Sequence, residues 1–303
     1  MPHKEWIILN GRMVRFSRPL LAGIINVTPD SFSDGGLYLE PDQALRRARQ
    51  LLEDGADILD LGGESTRPGA DLITPAEELA RLEPVMRGLN TLRRQTGAAV
   101  QPVSVDTWRA ATARRMLEAG AEIINDISGG LFDPRMDEVL AEFRPGFILG
   151  HCPAAPRHMQ EAPFYTDVVE ALYVHFSLRL EALDKAGLPA RNVILDPGLG
   201  FGKTTRHNLE ILRRLERLRP LGRPLCIGLS RKNFLGELLG LEQGPARDPA
   251  THTAVALLAR QGASLHRVHE VKGAARALKL MEAIIPEETL INSELRPEPR
   301  WGE

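Results

Sequence analysis

Short apolar runs, many rich in β-branched residues, alternate with longer stretches of helical periodicity along most of the chain. The runs predict buried strands and the longer stretches predict amphipathic helices. Strict alternation of the two predicts parallel strands joined by helical crossovers. The predicted strands are 21–27, 57–62, 101–105, 123–127, 146–151, 193–196, 224–229 and 264–268, and the predicted helices are 41–53, 75–95, 108–119, 134–143, 166–186, 206–217, 248–261 and 272–284.

This alternation, over a chain of 303 residues, fits a closed (β/α)₈ TIM barrel. An open doubly wound sheet is the alternative, but it normally carries a glycine fingerprint after its first strand. Asn26-Val27-Thr28-Pro29, which follows the first predicted strand, contains no glycine. No linker composition marks a boundary, so we expect one domain over residues 1–285.

A Gly-Ala pair follows three of the predicted helices, at 55–56, 120–121 and 262–263. The glycine predicts a helix stop, and the small alanine lets the next strand begin close to it. Ahead of the barrel, residues 1–17 predict a β-hairpin that turns at Asn10-Gly11 and caps the fold. The proline-containing tail, residues 286–303, is expected to be loosely ordered.

Composition narrows the class of protein. Hydrophobic residues make up 43% of the chain, enough for a sizeable core. The chain has 38 Lys and Arg and 40 Asp and Glu, and a net charge this close to zero argues against a nucleic acid or an anionic membrane as partner. Cys152 and Cys226 fit neither a disulfide framework nor a zinc site, so we expect buried thiols in a reducing compartment. No signal-peptide core or membrane-length apolar run is evident, and a cytoplasmic globular protein is expected.

Polar clusters follow the predicted strands at their carboxyl ends, where a barrel builds its active site. Burying unpaired polar groups costs a few kcal/mol each, so such a gathering implies a polar ligand. The clusters are Asn26, Glu64-Ser65-Thr66-Arg67-Pro68, Asp106-Thr107, Asn125-Asp126, His151, Asp196-Pro197-Gly198, Ser230-Arg231-Lys232 and Arg267-Val268-His269.

Asp106, Asn125 and Asp196 would present carboxylate and amide edges in one place. A carboxylate that accepts two parallel N–H bonds selects a ring with adjacent amine and ring N–H donors, which suits a flat aminopyrimidinone-type heterocycle. For each residue taken singly, a structural hydrogen bond at a loop start is an equally good interpretation.

Asn26, Arg267 and His269 follow strands that are neighbours in a closed barrel. Arg, His and amide donors together predict a phosphate or diphosphate site, and the Asn26 carbonyl could also bind Mg²⁺. Either basic residue alone would more often be a surface or interface group.

Three loops carry further signals. Asn26 opens into a loop with one large apolar side chain, Phe32, which is typical of a binding-site wall but also compatible with an ordinary connection. Gly198–Lys203 is not a P-loop, because only three residues separate Gly198 from Gly202-Lys203. Its glycines are expected to pass close to a bound ring with Phe201 against it, and Lys232 is expected to point into the barrel mouth.

Motifs for a protein nucleophile, a zinc protease and a Cys-x-x-Cys site are missing from the sequence. We therefore expect chemistry by positioning and electrostatics.

The motifs in their order resemble dihydropteroate synthase over about Leu21 to Met281. The segments that carry the resemblance are Asn26-Val27-Thr28-Pro29-Asp30-Ser31-Phe32, Gly63-Glu64-Ser65-Thr66-Arg67-Pro68-Gly69, Ser104-Val105-Asp106-Thr107, Asn125-Asp126-Ile127-Ser128-Gly129, Asp196-Pro197-Gly198-Leu199-Gly200-Phe201-Gly202-Lys203, Ser230-Arg231-Lys232 and Arg267-Val268-His269.

The resemblance implies a (β/α)₈ transferase that joins 6-hydroxymethyl-7,8-dihydropterin diphosphate to 4-aminobenzoate, uses Mg²⁺ and forms a homodimer. It implies catalytic roles for Lys232, Asp196, Asp106 and Arg267, and a pterin pocket of Asp106, Asn125, Asp196, Phe201, Lys232 and Arg267. It further implies diphosphate contacts from Asn26, Thr66, Arg67, Arg267 and His269, metal binding by Asn26, and an aminobenzoate pocket of Phe32, Pro68, Ser230 and Lys232.

Two positions depart from the family pattern. Gly150-His151-Cys152 stands where the family commonly has Met-His-Met, and Glu270 stands where an Asp is usual. The alternatives are a pterin-binding methyltransferase, expected to lack the Phe32 loop and the diphosphate group, and a non-catalytic pterin binder, expected to have lost Asn26, Lys232 or His269.

Overall fold

Parallel strands and helices alternate around a barrel in a computed structural model that describes residues 4–28, 41–65, 72–96, 101–154, 159 and 163–284. The strands are β1 (Glu5–Ile7), β2 (Met13–Arg15), β3 (Leu20–Asn26), β4 (Ile58–Gly62), β5 (Val103–Asp106), β6 (Ile123–Asp126), β7 (Gly146–Leu149), β8 (Val193–Leu195), β9 (Cys226–Ile227) and β10 (Leu265–Val268). The helices are α1 (Pro41–Glu53), α2 (Pro75–Thr96), α3 (Ala110–Glu118), α4 (Met136–Phe143), α5 (Val168–Ala186), α6 (Thr205–Arg213), α7 (Asn233–Leu239), α8 (Asp248–Arg260) and α9 (Val271–Ile284).

The sheet closes on itself. Its eight strands run in the order β8-β7-β6-β5-β4-β3-β10-β9. A parallel bridge from Leu195 to Leu225 joins β8 to the segment that enters β9. The Leu195 amide donates to the Pro224 carbonyl at 3.0 Å, a normal length for a hydrogen bond between strands. The predicted TIM barrel is confirmed, and the open-sheet alternative is wrong for this chain.

The N-terminal hairpin plugs the amino end of the barrel. β1 pairs antiparallel with β2, and Asn10 and Gly11 both take positive φ at the turn, 59° and 71°, as an Asn-Gly turn requires. Trp6 is fully buried against inward-facing strand residues such as Ile148. Its indole N–H donates to the Asn192 carbonyl at 2.7 Å. The predicted cap is therefore confirmed, and it leaves the carboxyl end of the barrel open.

The Gly-Ala repeats behave alike. Gly55, Gly120 and Gly262 have φ of 100°, 101° and 97°, the left-handed conformation that ends a helix at low cost for glycine. The following alanines are 3%, 0% and 3% exposed, because the next strand starts directly against the helix layer.

The sequence pattern did not predict α7, which contains Gly236, because glycine is a poor helix former. A Cβ at Gly236 would lie 2.3 Å from the Arg247 guanidinium, so the glycine makes room for that buried arginine. Several predicted bounds were too long. The predicted strand 224–229 is reduced to β9, and the predicted helix 206–217 ends at Arg213 before a 3₁₀ segment, Leu215–Leu221.

Both cysteines are free and buried, as predicted. In the described part of the chain, every helix is too short or too polar to cross a bilayer. The single-domain prediction stays a prediction, and the predicted tail lies outside the described residues.

Candidate active site

Four residues from neighbouring strands form one row at the carboxyl end of the barrel. The register aligns Asn26 with Gly62, Gly62 with Asp106, and Asp106 with Asn125. Gly62 keeps the row open, since a Cβ there would lie 3.6 Å from the Asn26 amide oxygen and 3.7 Å from the Asp106 Cβ. The register thus brings predicted diphosphate and pterin residues to one level.

Arg267 is the centre of the barrel interior below this row. Its Nε donates to Asp60 Oδ2 at 2.9 Å and its Nη2 donates to the same oxygen and, at 2.7 Å, to Asp106 Oδ2. With the Asn125 amide oriented by its neighbours, the oxygen accepts from Arg267 at 3.2 and 3.3 Å. This leaves the second Asp106 oxygen without a partner among the described residues.

The charges here are strongly coupled. Burial raises the pKa of Asp106 to about 7, with Asp60 adding to the rise while Arg267 and Lys232 oppose it. Burial alone would lower the Arg267 pKa, but Asp60 and Asp106 keep it above its ordinary value. Arg267 therefore stays charged, and Asp106 is the group poised to change protonation near neutral pH.

Asp196 and Lys232 complete this region from β8 and from the segment before α7. Asp196 Oδ1 accepts from the Gly198 amide at 2.8 Å, which leaves Oδ2 free of described donors. Lys232 Nζ lies 3.7 Å from the centroid of the Phe201 ring, a cation–π contact. Burial and then Arg267 lower the Lys232 pKa to about 8, so the amine remains a donor at neutral pH.

Ser230 and His269 hold each other. The His269 amide donates to Ser230 Oγ at 3.1 Å, and that hydroxyl lies 3.0 Å from His269 Nδ1. Burial, then Arg231 and Arg267, lower the His269 pKa to about 3. A neutral ring that accepts the serine hydroxyl at Nδ1 carries its proton on Nε2. His269 is therefore neutral near pH 7, and it would contact an anion through a ring N–H group rather than through a positive charge.

An unusual backbone conformation at Arg231 separates Ser230 from Lys232. Arg231 takes φ of 59°, an uncommon conformation for a non-glycine residue. Its guanidinium forms two bonds with Asp248, at 2.8 and 2.7 Å. Its amide donates to Thr251 Oγ1 at 3.3 Å. Arg231 is thus structural, and it fixes the turn between Ser230 and Lys232.

Lys203, the lysine of the rejected P-loop, is 3% exposed. Its Nζ donates to the carbonyls of His151, Gly198 and Phe201 at 2.9–3.1 Å and lies 3.0 Å from His151 Nδ1. Burial lowers the Lys203 pKa to about 7. Its role is to tie the glycine loop to β7, so the rejection of a phosphate-binding role fits the contacts.

The glycine loop needs its glycines for a reason that the sequence did not show. A Cβ at Gly198 would lie 2.1 Å from the His151 carbonyl oxygen, and one at Gly202 would lie 2.3 Å from Pro153. These two close approaches are to other parts of the protein. Gly150 is explained similarly, because a Cβ there would lie 2.5 Å from the Asp126 carbonyl oxygen.

A second buried ion cluster lies beside the site, and sequence reasoning missed it. Arg109 donates to both oxygens of Glu64 at 2.8 and 2.7 Å, to Glu78 at 3.2 Å and to the Ile73 carbonyl at 2.7 Å. The Ile73 amide in turn donates to Glu64 at 2.9 Å. Arg109 therefore ties residues on the two sides of segment 66–71 together.

Four predicted site residues lie outside the described residues: Phe32, Thr66, Arg67 and Pro68. The structure adds Asp60, which is 1% exposed. Its signal was an acidic residue inside the apolar strand Ile58-Leu59-Asp60-Leu61-Gly62.

Comparison with known proteins decides the family. A family model described as "Pterin binding enzyme" matches residues 22–269. Dihydropteroate synthase of Bacillus subtilis is 40% identical over 268 residues, covering 88% of this chain and 89% of that protein. The chain belongs to the dihydropteroate synthase family.

Solved structures of other dihydropteroate synthases agree in fold. The Xanthomonas albilineans enzyme with 4-aminobenzoic acid is 40% identical, with a TM-score of 0.83 over 92% of this chain and 99% of that one. The same enzyme in complex with 7,8-dihydropteroate gives a TM-score of 0.78 at 35% identity over the same shares. A dihydropteroate synthase is a transferase, so the barrel mouth is the candidate active site.

Proposed function

We propose that the chain condenses 6-hydroxymethyl-7,8-dihydropterin diphosphate with 4-aminobenzoate to give 7,8-dihydropteroate and diphosphate, a step of folate biosynthesis. The observation that carries this proposal is the group of polar side chains around Arg267, namely Asp106, Asn125, Asp196 and Lys232, in which Asp106 and Asp196 each keep one oxygen without a described donor. The related Xanthomonas enzyme holds the proposed co-substrate and the proposed product in its structures.

These polar side chains match a pterin ring. Ionised Asp106 and Asp196 each offer an acceptor oxygen to adjacent ring and amine N–H groups, and the Asn125 NH₂ offers a donor. Lys232 can donate to a ring carbonyl or ring nitrogen. Phe201 and Arg267 would lie against the ring faces. A ring without these groups would leave the buried polar atoms unpaired, which gives strong discrimination.

The charge balance suits departure of a leaving group. In the reaction the methylene carbon–oxygen bond breaks, diphosphate leaves with the bonding electrons, and the neutral aromatic amine forms the new carbon–nitrogen bond and then loses a proton. Positive charge develops at the methylene. Three buried carboxylates, Asp60, Asp106 and Asp196, stand against two cations, Arg267 and Lys232, so the protein can stabilise that charge without a nucleophile.

Diphosphate and Mg²⁺ fit the upper part of the site. The Asn26 amide oxygen lies at the row's edge and has the oxygen chemistry that Mg²⁺ accepts beside phosphate. Three-residue clusters of His, Cys, Asp and Glu that could hold a metal alone are missing from the described residues. We therefore infer that Asn26 binds Mg²⁺ together with the substrate, where the ion would neutralise departing charge. His269 Nε2–H, Arg267, Thr66 and Arg67 would donate to the diphosphate.

The aminobenzoate pocket is proposed from Phe32, Pro68, Ser230 and Lys232. Of these, Ser230 and Lys232 flank the strained Arg231 and are held in place by it. The His269 contact fixes the Ser230 hydroxyl, which would give a bound aminobenzoate a preset polar neighbour.

A homodimer and a cytoplasmic location are also part of the proposal. Exposed leucines on two packed helices support a partner surface, with Leu257 on α8 58% exposed and Leu280 on α9 62% exposed. Sedimentation of the purified protein would show twice the monomer mass of 33.5 kDa if the dimer forms.

The activity is tested by incubating the protein with both substrates and Mg²⁺ and detecting 7,8-dihydropteroate by mass. We expect product from wild type and none from Lys232→Ala, whose folding is checked by thermal melting. A lack of product with wild type would contradict the proposal. Demethylation of a methylated folate by the same preparation would favour the methyltransferase alternative.

A further inference from the structure

Asp60 lies in the middle of β4, inside the barrel, below the row that forms the site. Its neighbours two positions away on the same face of the strand are Ile58, in the inner apolar core, and Gly62, in the row. An acidic side chain buried this deeply is rarely kept without a charged partner. Arg267 is that partner.

Asp60 competes with Asp106 for one guanidinium. Arg267 gives Asp60 both Nε and Nη2, and gives Asp106 only a bond from Nη2. Arginine and a carboxylate prefer a two-bond, fork-like pairing. If Asp60 were absent, Arg267 would be able to form that pairing with Asp106 and occupy both of its oxygens.

We propose that Asp60 is a positioning residue that restrains Arg267, so that Asp106 keeps one oxygen free for the pterin. This inference rests on the proposed function, since the free oxygen matters only if a ring with N–H donors binds there. Asp60 itself is too deep to touch the ring, because Asp106 and Asn125 lie in the row above it.

The unpaired oxygen of Asp60 fits this role. Asp60 Oδ1 and the hydroxyl of Ser104, its aligned partner on β5, are both buried without a hydrogen-bond partner in the described part of the protein. Most buried carboxylates have hydrogen-bond partners on both oxygens, and an exception calls for an explanation. Asp60 instead satisfies only the oxygen that faces Arg267.

The chain offers a matched control in the same strand region. Asp57 directly precedes β4 and also forms two bonds with an arginine, Arg18, at 3.1 and 2.5 Å. It lies at the opposite end of the barrel from the site. Asp57→Asn and Asp60→Asn therefore make the same chemical change just before β4 and in its middle.

The experiment measures pterin binding and steady-state kinetics for both variants. For Asp60→Asn we expect the dissociation constant of a pterin, measured by calorimetry, and KM for the pterin diphosphate to rise about tenfold, as for one lost charge-assisted hydrogen bond. KM for 4-aminobenzoate should stay within about twofold of wild type, and Asp57→Asn should change neither constant by more than about twofold.

A second variant and a pH profile separate positioning from stability. Asp60→Leu fills the same place with an apolar side chain and should show the same pterin-selective loss, even if Asp60→Asn folds poorly. Since Asp60 opposes ionisation of Asp106, whose other charged neighbours are Arg267 and Lys232, the acid limb of kcat/KM should move to lower pH in both variants.

Equal losses for both substrates, or unchanged pterin binding in variants that fold, would overturn the role of Asp60. A wild-type protein that binds no pterin and makes no product would instead overturn the proposed function. If wild type binds a pterin but forms no product, the calorimetric dissociation constants of wild type and the Asp60 variants still test the role of Asp60.

Discussion

Two buried clusters in this protein each contain one arginine and two carboxylates, but they differ in where their unpaired carboxylate oxygens lie. Around Arg109, both oxygens of Glu64 accept from two donors each, including the Trp108 indole and the Ile73 amide. Around Arg267, by contrast, Asp60 and Asp106 each keep an oxygen without a described donor. Glu78 Oε1, in the Arg109 cluster, is also buried without a partner among the described residues. Of the unpaired oxygens, the one on Asp106 lies in the row at the carboxyl end of the barrel, where a ligand can reach it.

Burial sharpens the contrast. The Arg109 and Glu64 side chains are 7% and 4% exposed, and Arg109 also lies over the Trp108 ring at 4.2 Å. The Arg267 and Asp106 side chains are 11% and 15% exposed, because this cluster opens to the barrel mouth. We infer that the Arg109 cluster supports the fold around segment 66–71, while the Arg267 cluster supplies the chemistry.

The largest effect is expected from removing the arginine of the Arg109 cluster. Arg109→Ala leaves Glu64 and Glu78 buried without their cation and should lower the free energy of unfolding by about 3–5 kcal/mol. Denaturant unfolding measures this. Arg114→Ala, in a pair whose side chains are 39% and 55% exposed, should cost less than about 1 kcal/mol. Similar losses in both variants would contradict the distinction.

The next prediction concerns the pH dependence of the open cluster. Asp106 must be ionised to accept ring N–H groups, and its pKa is about 7. Lys232 must be protonated to donate, and its pKa is about 8. We therefore expect kcat/KM for the pterin diphosphate to rise through the first value and fall through the second.

Substitutions of Asp106 and Lys232 show which residue produces each limb of the pH profile. Asp106→Asn should remove the acid limb and Lys232→Met the alkaline limb, in whatever activity remains. A flat profile in wild type between about pH 6 and 9 would show that these two groups do not control binding of the pterin.

The smallest effect is expected at His266, which is next to Arg267 on β10 but faces the helices. Both of its ring nitrogens are buried without a partner among the described residues, and burial lowers the His266 pKa to about 3. In the unfolded state His266 takes up a proton near its ordinary pKa of 6.5, whereas in the folded state it stays neutral. The histidine therefore lowers the free energy of unfolding as the pH falls below 6.5. His266→Leu should stabilise the fold by about 1 kcal/mol near pH 8 and by more near pH 5. An equal change at both pH values would contradict this explanation.

The barrel was predictable because its signals are local. Apolar runs, the Gly-Ala helix stops at Gly55, Gly120 and Gly262, and the Asn10-Gly11 turn act over a few residues each. The α7 helix was missed because Gly236 is explained only by Arg247, which approaches from a later part of the chain.

The residues of the site could be predicted from the sequence, but their hydrogen bonds and charge states could not. Strand ends in a barrel meet, so Asp106, Asn125, Asp196 and Lys232 could be placed together. The sharing of Arg267 between Asp60 and Asp106, the neutral state of His269 and the anchoring of Lys203 depend on distances across the barrel, which no sequence spacing encodes. The carboxylate pairs of Arg109 were missed for the same reason.

The central claim is that the Arg267 cluster leaves polar edges open for a pterin ring. Calorimetric titration of 7,8-dihydropteroate into wild type and Asp106→Asn tests it most directly, because the substitution keeps the size of the side chain and reverses part of its hydrogen-bonding character. We predict an affinity at least about a hundredfold lower for a folded variant. Equal affinities would contradict the claim.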